Sequence, residues 1–176
     1  MNKAELRNAI RQQHRKLTPQ QRRELSMHVV ERLLPLLRDA ETILLYHPLP
    51  EEVDVSPLLS ILSGQGRTVL LPRVTGRTQM VLCRYTSEQD LAPGPFGILE
   101  PVGEPFADVA AIDVAVVPGM AFTSDGWRLG RGRGYYDRFL AAAPYIYKIG
   151  VCFPYQLVSE VPNDEYDIRM DTVVAP

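Results

Sequence analysis

The feature that most constrains the fold is a series of short apolar runs, the first beginning at Thr42. Such runs are typical of strands buried inside a sheet. Segments with helical spacing lie between several of them. Because apolar strands that alternate with helices indicate an α/β architecture, we expect an open, mostly parallel sheet with helices on both faces. The predicted strands are 42–46, 68–71, 80–85, 113–117, 147–152 and 172–174.

Helices are predicted before and between these strands. Residues 1–38 should form two, the second beginning at Thr18-Pro19, where threonine suits the N-cap and proline the first helical position. Two more are predicted over 56–64 and 135–142, whereas the Pro- and Gly-rich segment 92–106 is predicted to be loop. The apolar positions expected to face the core from residues 1–38 are Leu6, Ala9, Ile10, Leu25, Val29, Leu33 and Leu36.

Length and charge indicate one domain, 1–176, in which the basic two-helix segment 1–38 packs on an α/β core. The chain has 176 residues, 45% apolar, and a net charge of −2, which does not favour bulk attraction to nucleic acid. Its first 38 residues carry +6, so the remainder carries −8. Cys83 and Cys152 lack metal-ligand spacing, no apolar run is long enough to span a membrane, and the N-terminus is not leader-like. We therefore expect a reduced, soluble protein of cytoplasmic localisation.

Glycine and arginine alternate over 130–134, between the predicted strand 113–117 and the predicted helix 135–142. Glycine permits positive φ and close approach of a ligand, and successive N–H groups in such a turn form a concave anion site. Arginine adds a planar cation suited to phosphate. The spacing matches neither GxxxxGK[ST] nor the dinucleotide fingerprint. The segment therefore predicts a phosphate cradle, with Asp137 placed for a cation; a soluble surface turn is the alternative.

A basic stripe follows one face of the first predicted helix, because its members recur every four residues. Three interpretations stay open for it: a solvated helix face, a nucleic-acid-binding arm, or a clamp on the phosphates of a nucleotide. The stripe consists of Lys3, Arg7, Arg11 and Arg15.

Carboxylates cluster after the first predicted strand and again near the C-terminus. Taken alone, such clusters are usually solvated loops, but Mg²⁺ typically binds one or two carboxylates together with phosphate oxygens. The three histidines show no metal-ligand spacing, which disfavours a zinc enzyme, and no Ser/Cys–His nucleophile pattern is evident. The clustered carboxylates are Glu51, Glu52, Asp54, Asp164, Glu165, Asp167 and Asp171.

Several motifs resemble the signature of the 5-formyltetrahydrofolate cyclo-ligase (methenyltetrahydrofolate synthetase) family. The most specific is the long segment from Pro118 to Asp137, and weaker matches span nearly the whole chain. Arg133 departs from many members, which have Lys or Gly there. The matching segments read Lys3-x-x-x-Arg7, Glu52-Val53-Asp54, Leu71-Pro72-Arg73, Phe96-Gly97-Ile98-Leu99-Glu100-Pro101, Pro118-Gly119-Met120-Ala121-Phe122, Gly126-x-Arg128-Leu129-Gly130-x-Gly132-x-Gly134-Tyr135-Tyr136-Asp137 and Pro162-x-x-x-x-Asp167.

The resemblance implies an ATP-dependent, Mg²⁺-requiring conversion of 5-formyltetrahydrofolate to 5,10-methenyltetrahydrofolate, with release of ADP and phosphate. It also implies a sheet of the sugar-isomerase/CoA-transferase-like type. The partners would be small molecules, with no nucleic acid or membrane involved, and we expect a monomer.

The resemblance also assigns roles to individual residues. Arg131 and Tyr135 would be catalytic, at the junction of the two substrates, and Asp137 and Asp167 would bind Mg²⁺, with Asp171 an alternative to Asp167. The ATP-binding residues would be Lys3, Arg7, Arg128, Leu129, Gly130, Arg131, Gly132, Arg133, Gly134, Tyr135 and Tyr136. The folate-binding residues would be Glu52, Met80, Phe96, Gly97, Arg131, Gly132, Arg133, Gly134 and Tyr135.

Two other functions are compatible with the sequence. A relative that binds a nucleotide or folate without turnover could retain the same motif. An RNA-binding protein could use the basic stripe, although the acidic remainder of the chain disfavours it.

Overall fold

The structure, a computed structural model, describes the backbone of residues 1–176 and every side chain except that of Phe96. Its centre is a six-stranded sheet in the order β10-β9-β6-β1-β2-β3. Five of these strands run parallel, and β3 is antiparallel to β2. The strands are β1 (Thr42–Leu44), β2 (Thr68–Val74), β3 (Met80–Tyr85), β6 (Val114–Val117), β9 (Tyr147–Val151) and β10 (Thr172–Val174).

Four α-helices accompany this sheet, close to the predicted positions. They are α1 (Lys3–His14), α2 (Pro19–Leu36), α3 (Ser56–Gly64) and α4 (Tyr135–Ala141). Asn2 and Thr18 cap α1 and α2 through capping boxes, in which the N-cap side chain and the third helical residue bond each other's backbone N–H. None of the helices in the described chain is long and apolar enough to cross a membrane.

Alternation along the strands produces an apolar core on each face of the sheet. Ile43 of β1 belongs to a core formed with α2 and α3, whereas the next residue, Leu44, belongs to a core formed with α4 and the C-terminal segment. Side chains of successive strand residues point to opposite faces, so a strand buried on both must be apolar throughout. The prediction of an α/β fold with helices on both faces is confirmed.

Two small antiparallel ribbons flank the sheet. The first, β4 (Leu91–Pro93) with β5 (Leu99–Pro101), lies inside segment 92–106, which was predicted to be loop. That prediction was wrong because a three-residue strand gives almost no periodic signal beside so much proline. The second ribbon pairs β7 (Ala121–Phe122) with β8 (Arg128–Leu129) and leads directly into the glycine–arginine segment 130–134.

One predicted core position was also wrong. Leu36 is 46% exposed, whereas Leu37 is fully buried. Helix α2 ends at Leu36, and Leu37 is its C-cap with φ −96° and ψ 1°. Leu36 and Leu37 lie three and four residues after Leu33, so helical spacing admits either position, and the buried face formed by Val29 and Leu33 continues in four-residue steps to Leu37.

Candidate active site

A single cavity of about 870 Å³ lies at the carboxyl ends of β1, β2 and β6. Ligands of open α/β sheets bind at this edge. Seven separate segments contribute to the cavity: the start of α1, the chain after β1, the β2–β3 hairpin, the β4–β5 hairpin, the turn after β6, the glycine–arginine loop with its flanking β8 and α4, and residues 164–168. The predicted site residues that line it are Lys3, Arg7, Glu52, Met80, Arg128, Leu129, Gly130, Arg131, Gly132, Arg133, Gly134, Tyr135, Tyr136, Asp137 and Asp167.

The glycine–arginine loop, residues 130–134, follows β8 and leads directly into α4. Gly132 and Gly134 have φ of +107° and +71°, which side chains rarely adopt. Gly134 is the N-cap of α4, so the loop turns into the helix through this left-handed residue. A Cβ at Gly132 would lie 3.7 Å from Arg7 Cζ. Glycine at position 132 is therefore required by the positive φ of the turn, and a Cβ there would meet Arg7 only at an ordinary contact distance.

Arg128 precedes this loop and is buried, with its guanidinium held by the protein. Its Nε donates to the Pro118 carbonyl at 2.7 Å, and Cζ lies 5.2 Å from the centroid of the Tyr136 ring. An η nitrogen is 3.9 Å from Asp137 Oδ1. Burial lowers the pKa of Arg128, and Asp137 opposes this effect. Arg128 thus contributes a fixed positive charge to the cavity wall while it holds the turn at Pro118 in place.

Helix α1 brings two cations of the basic stripe to the cavity. Arg7 Nε donates to the Gly130 carbonyl at 2.8 Å, which attaches α1 to the glycine–arginine loop. Lys3 Nζ lies 2.8 Å from Asp167 Oδ2 and 3.1 Å from Asp164 Oδ2. Burial alone would lower the pKa of Lys3, but the hydrogen bonds to the two carboxylates raise it overall.

The other half of the stripe lies elsewhere. Arg11 and Arg15 line a smaller cavity of about 190 Å³, beside His14 and Tyr155. Among the three interpretations of the stripe, the positions of Lys3 and Arg7 favour the phosphate clamp.

Asp137 and Asp167 both line the cavity, and adjacent parts of the chain hold them. Asp137 Oδ1 accepts the N–H of Ile168 at 3.1 Å, and Asp167 Oδ2 accepts the N–H of Asp164 at 2.9 Å. Asp171 lies elsewhere, because its carboxylate accepts the Lys148 N–H at 2.8 Å and pairs with Lys148 Nζ at 3.2 Å. The geometry therefore favours Asp167 over Asp171 as the second carboxylate.

The described side chains include no group of three or more His, Cys, Asp or Glu arranged to hold a metal ion. Mg²⁺ bound mainly by phosphate oxygens and water requires only one or two carboxylates, which Asp137 and Asp167 can supply. The donor set fits a nucleotide-borne Mg²⁺ better than a metal held by the protein alone.

Glu52 also lines the cavity, and its carboxylate lies near the positively charged Arg131. Its Oε1 accepts the Leu49 N–H at 2.8 Å, and its Oε2 is 3.7 Å from Arg131 Nε. Burial raises the pKa of Glu52, while the Leu49 N–H and Arg131 partly offset the rise. Arg131 also pairs with the more exposed Glu51, at 2.9 Å. These contacts orient Arg131 between the glycine–arginine loop and the segment after β1.

Apolar side chains from the β2–β3 and β4–β5 hairpins line another part of the cavity. Buried Glu100 joins the two hairpins, because its Oε2 accepts the Val74 N–H at 2.7 Å. Such a surface suits a flat heteroaromatic ring better than a phosphate. The apolar wall consists of Leu49, Pro72, Val74, Met80, Ile98 and Leu99.

Gly97, a predicted folate-binding residue, is not among the residues that line the cavity. Gly97 is exposed, and a Cβ there would meet open space. Its φ of +70° shows that glycine is needed at this position for the turn between β4 and β5. The neighbouring residues Ile98 and Leu99 line the cavity instead. The side chain of Phe96 lies outside the described residues.

Sequence reasoning did not assign site roles to several other lining residues. Four of them are close to Asp167 in the sequence and therefore line the cavity with it: Asp164, Glu165, Tyr166 and Ile168. No motif identified the other two, His47 and Arg138. Proximity to Asp167 in the sequence was the available signal for the first group.

One cavity thus combines a cationic, carboxylate-bearing region with an apolar wall, at the functional edge of an α/β sheet. This is the arrangement of an enzyme that brings a phosphorylated co-substrate to a second, partly apolar substrate. Residues 1–176 match the model of the 5-formyltetrahydrofolate cyclo-ligase family. The chain belongs to that family.

The sequences of related proteins match this chain over most of their length. The chain is 31% identical to 5-formyltetrahydrofolate cyclo-ligase of Escherichia coli K12, over 95% of this chain and 96% of the relative. The mouse protein of the same name is 27% identical, over 96% and 91%.

Two solved structures are also similar. Aquifex aeolicus 5,10-methenyltetrahydrofolate synthetase has a TM-score of 0.84 and 35% identity, covering 98% of this chain and 89% of the other. The Mycoplasma pneumoniae synthetase has a TM-score of 0.81 and 25% identity, covering 99% of each chain.

Proposed function

We propose that this protein cyclises 5-formyltetrahydrofolate to 5,10-methenyltetrahydrofolate, with ATP as co-substrate and ADP and phosphate released. Family membership supports the reaction, and ATP is the co-substrate used in this family. The observation that carries the assignment is that one cavity is lined both by Lys3, Arg7 and the glycine–arginine loop and by the apolar side chains of Val74 and Met80. Nucleotide phosphates would bind at the cationic region and the pterin at the apolar wall.

The reaction requires activation of the formyl oxygen, which is a poor leaving group. The oxygen attacks the γ-phosphorus, the bond from that phosphorus to the ADP oxygen breaks, and the formyl carbon becomes an iminium phosphate. N10 of the folate then attacks this carbon, phosphate leaves, and the N10 proton is released as the ring closes. Atoms and charge balance without a covalent bond to the protein.

Positive side chains would stabilise the first step, because charge on the transferred phosphoryl group is spread over its oxygens. Lys3, Arg7, Arg128 and Arg131 are among the cations that line the cavity, and Tyr135 lies where the loop joins α4. Glu52, next to Arg131, would accept a hydrogen bond from an N–H of the pterin. The apolar wall would exclude water, which would otherwise compete with N10.

We further propose that Asp137 and Asp167 hold Mg²⁺ when ATP is bound. The ion would neutralise phosphate charge that the arginines alone do not balance. Lys3 pairs with Asp167 in this structure, so that pairing would rearrange when phosphates and Mg²⁺ enter.

Turnover tests the proposed function directly. Purified protein incubated with 5-formyltetrahydrofolate, ATP and Mg²⁺ is expected to produce the absorbance of the methenyl product with stoichiometric phosphate. Omission of ATP should abolish both signals. Folded protein that binds both substrates in calorimetry and forms no product would instead identify a non-catalytic relative.

A further inference from the structure

The turn between β2 and β3 is attached to the start of α4 by Tyr135 and by Arg138, a side chain that the proposed chemistry does not use. Residues 75–79 form this turn, and all five are exposed. The turn has its own hairpin hydrogen bond, from the Thr75 N–H to the Gln79 carbonyl at 3.0 Å. The Gly76 and Thr78 carbonyls of the turn accept hydrogen bonds from side chains of α4.

Arg138 makes the central contacts. Its Nε donates to the Thr78 carbonyl at 2.6 Å, and an η nitrogen donates to the Arg133 carbonyl at 2.5 Å. Its Cζ lies 5.6 Å from the centroid of the Tyr135 ring. The Tyr135 hydroxyl donates in turn to the Gly76 carbonyl at 2.9 Å. One guanidinium therefore bridges the β2–β3 turn and the glycine–arginine loop.

Glycine at position 134 provides the space for this bridge. A Cβ there would lie 2.8 Å from an η nitrogen of Arg138, closer than side-chain carbons approach such atoms. The planar guanidinium can donate to two carbonyls in fixed directions, whereas a lysine ammonium at the same place is a single point on a flexible chain. The geometry thus depends on arginine at position 138.

The bridged turn connects two residues of the apolar wall. Val74 and Met80 pair across the hairpin immediately before and after the turn, and both line the cavity. Movement of the turn relative to the loop would therefore change the distance between the apolar wall and the cationic region.

We propose that Arg138 is a positioning residue that couples nucleotide binding at the glycine–arginine loop to folate binding at the apolar wall. The inference rests on the proposed function, since it takes the loop as the nucleotide site and the wall as the pterin site. When phosphates fix the Arg133 backbone, Arg138 fixes the β2–β3 turn, and the wall is held in place for the second substrate. By thermodynamic linkage, each substrate tightens binding of the other by the same factor.

Calorimetry measures this coupling as the ratio of two affinities for 5-formyltetrahydrofolate, with and without a non-hydrolysable ATP analogue and Mg²⁺. In the unaltered protein, we expect the analogue to tighten folate binding by about tenfold, within the usual range of such couplings. Arg138→Gln should bring the ratio close to one, and Arg138→Lys should give an intermediate value. Folate affinity in the absence of the analogue should change little.

Arg84→Gln is the matched control, because it removes an arginine from the same hairpin. Arg84 is exposed on β3 and lies over the Phe106 ring, 6.0 Å from its centroid. We expect it to keep the full coupling ratio. A ratio of one in the unaltered protein, or an unchanged ratio in Arg138→Gln, would overturn the proposal.

Trypsin provides a readout that is independent of folate. Cleavage after Arg77, identified by mass spectrometry of the ligand-free protein, should be several-fold faster in Arg138→Gln than in the unaltered protein or Arg84→Gln. Equal rates would contradict the bridge. If the unaltered protein fails to convert 5-formyltetrahydrofolate but shows the expected cleavage pattern, the proposed function fails while the bridge between turn and loop is retained.

Discussion

At the scale of single residues, Asp137 and Glu52 show how one cavity can hold carboxylates in different surroundings. Asp137 lies near the buried Arg128 and accepts a backbone N–H from Ile168. Glu52 is almost completely buried, with Arg131 as its nearest cation. Burial raises the pKa of Glu52, and its contacts with the Leu49 N–H and Arg131 only partly offset the rise.

Asp137→Asn should weaken the use of Mg²⁺-ATP without unfolding the protein. The amide oxygen can still accept the Ile168 N–H, but its charge is lost. We expect the Mg²⁺ concentration for half-maximal rate to rise at least about tenfold, the scale on which metal sites respond to such losses. Steady-state kinetics over a Mg²⁺ series measures this, with thermal unfolding as the check on the fold. Asp171→Asn, outside the cavity, is the control and should leave the Mg²⁺ requirement unchanged; similar responses in both variants would exclude Asp137 from the metal site.

Glu52→Gln should stabilise the protein at neutral pH while it impairs folate use. Because burial raises the pKa of Glu52 above its unfolded value, ionised Glu52 destabilises the folded state, and this cost disappears as the pH falls through the raised pKa. The variant should therefore unfold at a higher temperature than the unaltered protein at pH 7, with a smaller difference at pH 4. Loss of a hydrogen bond to a charged acceptor should raise KM for 5-formyltetrahydrofolate about tenfold to a hundredfold.

The neighbouring carboxylate provides the control for this pH dependence. Glu51 is 38% exposed on its side chain, so it has little desolvation cost to relieve. Glu51→Gln should show no stabilisation at pH 7. A Glu52→Gln variant that unfolds at a lower temperature than the unaltered protein at every pH would show that the contact with Arg131 outweighs burial.

At the scale of elements, the long strands and helices could be predicted from the sequence, and the short ribbons could not. Strand β6 is four apolar residues buried on both faces, a pattern that few other structures produce. The β4–β5 ribbon has three residues per strand and two terminal prolines, and it is stabilised by contact with the main sheet, which includes the hydrogen bonds of Glu100 with Val74 and of Arg73 with the Pro101 carbonyl. That contact is between residues distant in the sequence, and no local pattern reports it.

The connection between β7 and β8 requires a residue without a Cβ at position 126, which is Gly126. Its φ is +105°, and a Cβ there would lie 2.2 Å from the Met170 carbonyl oxygen. Gly126→Ala should lower the free energy of unfolding by at least about 2 kcal/mol, since strain of this kind alone costs about 1–3 kcal/mol. Urea unfolding measures the change. Gly64→Ala, at the end of α3, where a Cβ meets open space, should cause no loss.

At the scale of the whole molecule, the candidate site exists because the two ends of the chain meet. Leu6 and Ile10 of α1 pack with Leu129 and Val161 in a third apolar cluster, away from the two faces of the main sheet. Lys3 pairs with Asp164 and Asp167 from the C-terminal segment, as described above. Helical spacing predicted that Leu6 and Ile10 share a face, but spacing cannot say which surface that face covers. The family resemblance supplied the grouping of these segments, and the structure shows the packing that produces it.

Ile10→Ala should therefore impair ATP use through the docking of α1 and leave the sheet intact. Truncation of a buried isoleucine costs about 2–5 kcal/mol, so the undocked helix should be populated at least about thirtyfold more. Amide hydrogen exchange in α1 should accelerate by a similar factor, while exchange in β1 and β6 stays slow. KM for ATP should rise, because α1 carries Lys3 and Arg7 to the cavity.

Leu59→Ala distinguishes this local effect from general destabilisation. Leu59 of α3 is buried in the large core against the sheet, so its truncation should lower global stability by a similar amount. Amide hydrogen exchange in α1 should not accelerate more than exchange in the sheet. KM for ATP should stay close to that of the unaltered protein. If both variants raise KM for ATP equally, the docking of α1 is not what holds the cations in place. If only Ile10→Ala does, the third cluster determines whether the nucleotide half of the cavity is formed.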